Sequence, residues 1–234
     1  MLHRLLQAAT ARLPANVQFE LRRANYFRQI RRGSFVRHDP EILEIARYVR
    51  EGDWVVDVGA NIGRYTCYMA QRVGIAGRVL AFEPVEVSFA LLAGNMRVAG
   101  LRNVTLFNIA LSSTAGISGM TVPTYEQSKL ANYYRAHIAA RGEYPVLCLP
   151  LDAIPIPQVV RLVKIDAEGH DLHVLMGMES LLHRDRPVLI VEGWSQDAAA
   201  SWLGERGYSI RAVAGSANIV AMPLPAAQGR LQKA

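Results

Sequence analysis

Apolar positions in this chain follow two rhythms. Short unbroken runs, such as Trp54-Val55-Val56, Val79-Leu80-Ala81-Phe82 and Val188-Leu189-Ile190-Val191, alternate with stretches where apolar residues return every three or four positions. Unbroken runs suit strands covered on both faces, and the returning pattern suits helices with one buried stripe. The expected order is strand 53–58, helix 62–73, strand 78–83, helix 85–99 and strand 103–109. After a change of rhythm come strand 162–165, helix 169–183, strand 188–191 and helix 196–206. Runs at 208–213 and 218–222 around Ala214-Gly215-Ser216 predict a closing hairpin. Helices between strands imply right-handed crossovers and a parallel sheet. The fold class is therefore α/β and Rossmann-like, with a mostly parallel seven-stranded sheet, a C-terminal antiparallel hairpin and an N-terminal helical extension.

Three segments stand outside this alternation. Residues 1–37 read as one or two helices. A further helix follows, with Asp39 as N-cap, Pro40 at its first position and Gly52 as its stop. Residues 111–150 carry strand patterns at 117–122 and 146–149 around a polar, aromatic insertion at 124–145, which reads as a lid, a substrate loop or a surface excursion. The main domain is thus expected at 38–222, with a frayed tail at 223–234.

Composition narrows the picture. With 51% hydrophobic residues the chain can bury a large core. Cys67 and Cys148 fall within element patterns and are expected to be reduced core residues of a cytoplasmic protein. No stretch of apolar residues is long enough to cross a membrane, and Arg12 and Pro14 break the opening stretch as a secretory signal. The net charge of +6 lies wholly in residues 1–40, where eight arginines face Glu20 and Asp39. Such a head can meet an anionic membrane surface or glycolipid at the inner membrane face; alternatively it is a helical extension packed through Leu5, Leu6, Phe19, Leu21, Tyr26, Phe27 and Ile30. Nucleic acid is not the expected partner.

The chemistry gathers at strand ends. Strand 53–58 runs into Asp57, then Gly59 and Gly63, then a helix. Gly59 permits a tight turn and close ligand approach, and the amides opening the helix can face a ligand. The pyrophosphate-binding spacing G-x-G-x-x-G is absent, and the carboxylate of Asp57 would repel phosphate. An acidic turn suits a ligand with a cationic amino-acid end, such as S-adenosylmethionine. Glu83 ends the next strand about 20 residues past the turn, where a ribose diol is gripped. Asp166 and Glu192 close two further strands, and Glu168 and His170 follow Asp166. Each carboxylate also has a structural alternative: Asp166 as helix N-cap, Glu168 as a first-turn helix charge, Glu192 as a solvated strand end.

DVGANIGRYT, then AFEP, then VKIDAEGHDLHVLMG and LLHRDRPVLIVEG, together resemble the FkbM family of S-adenosylmethionine-dependent methyltransferases, from about Asp53 to Gly193. The resemblance implies a class I Rossmann-like fold and O-methylation of a hydroxyl on a sugar, glycolipid or secondary metabolite. By it, Asp57, Gly59, Ala60, Asn61, Gly63 and Thr66 surround the methionine end, Glu83 and Pro84 the ribose, and Asp166 the sulfonium. Where many class I enzymes have an acidic residue after the third strand, this chain has Asn108-Ile109-Ala110, so Asn108 or the backbone at Ala110 is expected to read adenine.

A hydroxyl acceptor needs a base or a metal. The expected catalytic set is Asp166, Glu168 and His170, with His170 as base and Asp166 orienting it from one helical turn away. Alternatively Asp166, Glu168 and Glu192 hold Mg²⁺. Amide methylation is disfavoured, because Asp166-Ala167-Glu168-Gly169 stands where an Asn/Asp-Pro-Pro-aromatic turn would be. A nicotinamide oxidoreductase would need a third glycine where Tyr65 and Thr66 stand. A non-catalytic docking module on membrane or RNA is the remaining alternative.

Overall fold

The computed structural model describes residues 12–36, 39–126, 130–192 and 196–225. The expectations for residues 1–11, for the end of the tail and for the tip of the insertion at 127–129 lie outside the described residues.

Helices α1 (Ala15–Arg31) and α2 (Pro40–Tyr48) come first. Then β1 (Trp54–Val58), α3 (Arg64–Val73), β2 (Arg78–Phe82), α4 (Glu86–Val98) and β3 (Val104–Phe107) alternate. After an excursion the alternation resumes with β8 (Val160–Ile165), α5 (Asp171–Met176), α6 (Glu179–Asp185), β9 (Val188–Val191) and α7 (Gln196–Glu205). The hairpin β10 (Tyr208–Ala212) and β11 (Ile219–Pro223) closes the fold. The main sheet has seven strands in the order β10-β11-β9-β8-β1-β2-β3, with β11 antiparallel to both neighbours. The chain winds outward from β1 through β2 to β3, then returns to place β8 on the other side of β1. The carboxyl ends of β1 and β8 therefore flank the switch point, where open α/β sheets bind ligands.

Period-two alternation sends successive strand residues to opposite faces. Val55, Val79 and Leu162 pack with Ile45, Met69, Leu92 and Met96 from α2, α3 and α4. Val56, Leu80 and Val163 pack with Leu175, Leu182 and Leu203 from α5, α6 and α7. Helix α1 lies on α4, with the Phe27 ring 3.6 Å from where a Cβ of Gly94 would stand.

Several local expectations needed correction. Gly63 is left-handed (φ 89°), so α3 starts at Arg64 rather than at residue 62. Asp39 precedes α2 but makes no side-chain cap bond; its carboxylate lies 3.4 Å from the Tyr65 hydroxyl instead. Helix α2 ends before Val49, and Gly52 (φ 87°) belongs to the turn into β1. Strand three stops at Phe107, because the Asn108 side-chain amide donates to the carbonyls of Glu83 and Pro84 and turns the chain. The predicted helix 169–183 is two helices. Between them Gly177 passes so close to Ser112 that a Cβ would lie 2.0 Å from its carbonyl oxygen, and Asp152 accepts from the amides of Ser180 and Leu181 to cap α6.

The excursion forms a second sheet: β4 (Ala110–Leu111), β5 (Gly116–Thr121), β6 (His137–Ile138) and β7 (Tyr144–Leu149), ordered β4-β7-β5-β6. Cys67 and Cys148 are buried and free, and burial pushes the Cys67 thiol up to about 11.

Candidate functional site

The switch point holds a cavity of about 250 Å³. Its floor is the turn after β1. Gly59 (φ 73°) sits where a Cβ would stand 1.9 Å from the Asp166 carbonyl oxygen, so only glycine lets the ends of β1 and β8 approach this closely. Gly59, Ala60 and Asn61 line the cavity. Gly63 does not; a Cβ there would meet Leu92 at 2.5 Å, which makes it a packing glycine.

Glu83 ends β2 at one side of the cavity. Its carboxylate accepts from the Asn61 amide (2.7 Å) and the Val85 amide (2.8 Å). Burial raises it to about 7 despite those two donors, which pull the other way. A carboxylate offers about four acceptor positions, so it can still take a diol. Pro84, Ile109 and Ala110 continue this wall. Asn108 is not part of it: its amide is engaged on the Glu83 and Pro84 carbonyls, so it does not stand ready to read a base.

Asp57 and Thr66 also lie outside the cavity wall. Both are fully buried, and the Thr66 hydroxyl donates to Asp57 Oδ2 at 2.5 Å. Burial holds the Asp57 carboxyl above its usual range, opposed by Lys164 and Thr66, and its Oδ1 has no partner. In register opposite Asp57 stands Lys164, which the sequence reading missed. Lys164 is 1% exposed, pairs with Asp166 at 2.8 Å and lies 4.5 Å from the Tyr65 ring centroid. Burial lowers its basicity, but Asp166, Asp57 and Glu192 more than offset this and hold the ammonium charged. A lysine interrupting an apolar strand two residues before Asp166 was the available signal.

The opposite side of the cavity is acidic. Asp166, Glu168 and Glu192 all line it, and one carboxylate oxygen from each lies within 4.8 Å of the others. Burial, then Asp166 and Glu168, raise Glu192 to about 8, and it shares a hydrogen bond with Asp166. Among the described residues, Glu192 Oε2 has no partner. Burial and Asp166 also raise Glu168, which adopts a left-handed conformation (φ 48°).

The first turn after β8 is not helical, since Glu168 and Gly169 both have positive φ. Asp166 and His170 therefore do not stack on one helix face as expected. Asp166 takes its hydrogen bond from Lys164, and His170 Nε2 lies 2.9 Å from Ser112 Oγ. The His170 ring stacks on His173 at 4.4 Å, and burial, then His173, lower it to about 4. Nor is Asp166 the cap: Asp171 accepts from the Ala167 amide at 3.1 Å and fixes the turn.

This geometry can hold an elongated ligand with hydroxyls at the Glu83 end and positive charge at the Asp166–Glu192 end. The fit is chemical: Glu192 Oε2 is an acceptor awaiting a donor, and the carboxylates there outnumber the one buried lysine.

Comparison with known proteins agrees with the fold. The methyltransferase FkbM domain matches residues 57–210, more than half of the chain, and the chain belongs to that family. The hexuronic acid methyltransferase AglP of Haloferax volcanii is 31% identical over 147 residues, covering 60% of this chain and 56% of that protein. The 31-O-demethyl-FK506 methyltransferase FkbM of Streptomyces tacrolimicus is 36% identical over 113 residues, 47% of this chain and 38% of its own length. The chain thus spans roughly half or less of these two relatives. Among solved structures, a methyltransferase FkbM from Methylobacillus flagellatus superposes with a TM-score of 0.54 at 14% identity, covering 86% of this chain and 59% of that one. A SAM-dependent methyltransferase from Aquifex aeolicus superposes at 0.50 with 17% identity, covering 80% and 90%. These two show the same Rossmann-like fold.

Proposed function

We propose that this chain is an S-adenosylmethionine-dependent methyltransferase that O-methylates a hydroxyl on a sugar, glycolipid or secondary metabolite. The observation that carries the reading is the charge layout of the switch-point cavity: a buried carboxylate, Glu83, at one side and the Asp166–Glu168–Glu192 group at the other, in a member of the FkbM family. The names of two relatives, one for a hexuronic acid and one for 31-O-demethyl-FK506, support oxygen as the acceptor atom.

When bound, the cofactor supplies an electrophilic methyl group on a sulfonium. Glu83 holds the ribose diol, Gly59 to Asn61 border the chain of the ligand, and Asp166 faces the positive end. Transfer then requires the acceptor oxygen to be positioned and stripped of its proton. His170 is neutral at physiological pH and, at about 4, is a weak base. Glu192, at about 8, is the stronger one, and we assign the proton to the Asp166–Glu192 pair. A second reading places Mg²⁺ on Asp166, Glu168 and Glu192, favoured by their mutual spacing and opposed by the Lys164 ammonium already paired to Asp166. Loss of activity with EDTA, restored by Mg²⁺, would decide for it. The arginine-rich helix suits a cytoplasmic enzyme peripheral to an anionic membrane.

Calorimetry tests the main reading. S-adenosylmethionine and S-adenosylhomocysteine should bind and NAD should not. Tight NAD binding with no response to the other two would replace this reading with the nicotinamide one. A labelled-methyl transfer screen over glycans, lipids and small metabolites would then identify the acceptor.

A further inference from the structure

Helix α1 lies outside the span matched by the family domain, yet it touches the walls of the cavity from two directions. Arg22 projects from α1 to the insertion. Its guanidinium carbon lies 4.9 Å from the Tyr133 ring centroid, and its Nη2 donates to the Ala131 carbonyl at 3.4 Å. One helical turn later Tyr26 shares a hydrogen bond with Tyr134. Tyr133 and Tyr134 both line the cavity. From the cavity floor the Asn61 side-chain amide donates to the Tyr133 carbonyl at 3.4 Å. Tyr133 is therefore held between the glycine turn on one side and α1 on the other. It also lines a second cavity of about 380 Å³.

The second direction runs through Arg64, the first residue of α3 and part of the cavity wall. Arg64 donates to Gln29 Oε1 of α1 at 3.0 Å and to the Phe35 carbonyl, with the Phe35 ring centroid 5.0 Å away. The helix is seated independently of Arg22, because Phe27 packs on α4 at Gly94. Arg22 is half-buried and turned inward, unlike the exposed Arg23, Arg28, Arg31 and Arg32. A surface arginine that served only solubility would not need a ring and a carbonyl together. A planar guanidinium can stack and donate at once, which a lysine ammonium cannot.

We propose that α1 is a strap on the cavity rim, and that Arg22 is a positioning residue holding Tyr133 over the cofactor space so that a bound cofactor leaves slowly. The arm of the test that uses a ligand rests on the cofactor reading above; the other arm does not. In the ligand-free full chain, amide hydrogen exchange should report the rim directly, since the Asn132 and Arg135 amides donate within it, to Pro123 and Asn132. Arg22→Ala should speed exchange at these two amides by about tenfold, the scale of one lost stacking contact with its hydrogen bond, and leave α4 and the main sheet unchanged. In stopped-flow displacement, S-adenosylhomocysteine should dissociate about tenfold faster from Arg22→Ala than from wild type. Arg22→Lys should recover little of either effect and serves as the comparison if Arg22→Ala folds poorly. Tyr133→Ala should reproduce the faster dissociation, and the double variant should add nothing, because the two side chains act as one unit. Wild-type exchange and dissociation in Arg22→Ala and Arg22→Lys, or effects of Arg22→Ala and Tyr133→Ala that add fully, would overturn the strap. If wild-type protein binds no S-adenosylhomocysteine, the cofactor reading fails, and the exchange arm still judges the strap.

Discussion

Glu192 follows a largely buried strand, with two carboxylates beside it and one oxygen unpaired among the described residues, which is a costly place to ionise. Two consequences follow for pH. If Glu192 takes the acceptor proton, turnover should rise as pH passes about 8, not near the ordinary histidine value. Glu192→Gln should cut turnover by about 10²–10⁴-fold, with His170→Ala staying within about tenfold of wild type. The reverse ranking would return the base to His170. For stability, the unfolded carboxyl ionises near 4.5 and the folded one near 8, so between those values the native state binds a proton that the unfolded chain has lost. That contribution is fully present below 4.5 and is lost as pH rises through about 8. The Tm of wild type should therefore fall more steeply over this window than that of Glu192→Gln. At the other end, Glu83→Ala should weaken cofactor binding about 100-fold or more, the scale of two charge-assisted bonds. Its Tm should fall too, because the Asn61 and Val85 amides lose their acceptor. Unchanged affinity in a folded variant would remove Glu83 from the ribose role. At this scale the sequence showed which carboxylates close strands but not what each one faces. Asp57 and Thr66 turn into the protein and hydrogen-bond each other, and Lys164 counters the acids from a strand that read as simply apolar.

Strands β1, β2 and β9 were the most legible elements because they are largely buried on both faces and read as near-continuous apolar runs. Helices were legible wherever one stripe packs on the sheet. What failed were boundaries set by residues distant in sequence. The split between α5 and α6 is an example. Nothing within 169–183 names Asp152 as the cap of α6, or the Ser112 carbonyl as the reason for Gly177. Asp152→Ala should cost about 1 kcal/mol, as for a lost N-cap, read as a lower midpoint in urea with an unchanged slope. Gly177→Ala should cost more, because a Cβ 2.0 Å from backbone must push the second sheet away. If Gly177→Ala is neutral, the contact with Ser112 does not set the break. The second sheet was only half visible for a different reason. Its edge strands β4 and β6 have two residues each, too short for any periodicity to register.

Over the whole molecule, the charge asymmetry seen in the sequence has a defined geometry. One face of α1 is committed to the protein: Phe27 and Arg22 meet α4 and the rim. The other leaves Val17, Leu21, Arg28 and Arg31 exposed, with Arg32 just past the helix end, and Val17 and Leu21 stand one turn apart at 38% and 50% exposure. The two sequence-level alternatives, a packed helix and a basic docking surface, are thus not exclusive. Exposed aliphatic side chains among arginines suit a lipid surface better than RNA, because leucine and valine neither stack on bases nor bind phosphates. Each arginine near an anionic membrane contributes about 1 kcal/mol, and the attraction decays within a Debye length. The full chain should therefore sediment with vesicles containing phosphatidylserine at low salt and release as salt rises. Changing Arg28, Arg31 and Arg32 to Gln should lower partitioning by roughly 100-fold while leaving S-adenosylhomocysteine binding intact, since none of the three reaches the cavity. Failure of the wild-type chain to bind such vesicles at low salt, or equal binding to vesicles of neutral lipid, would reject the membrane role. The outer face of α1 would then be a solvated helix surface.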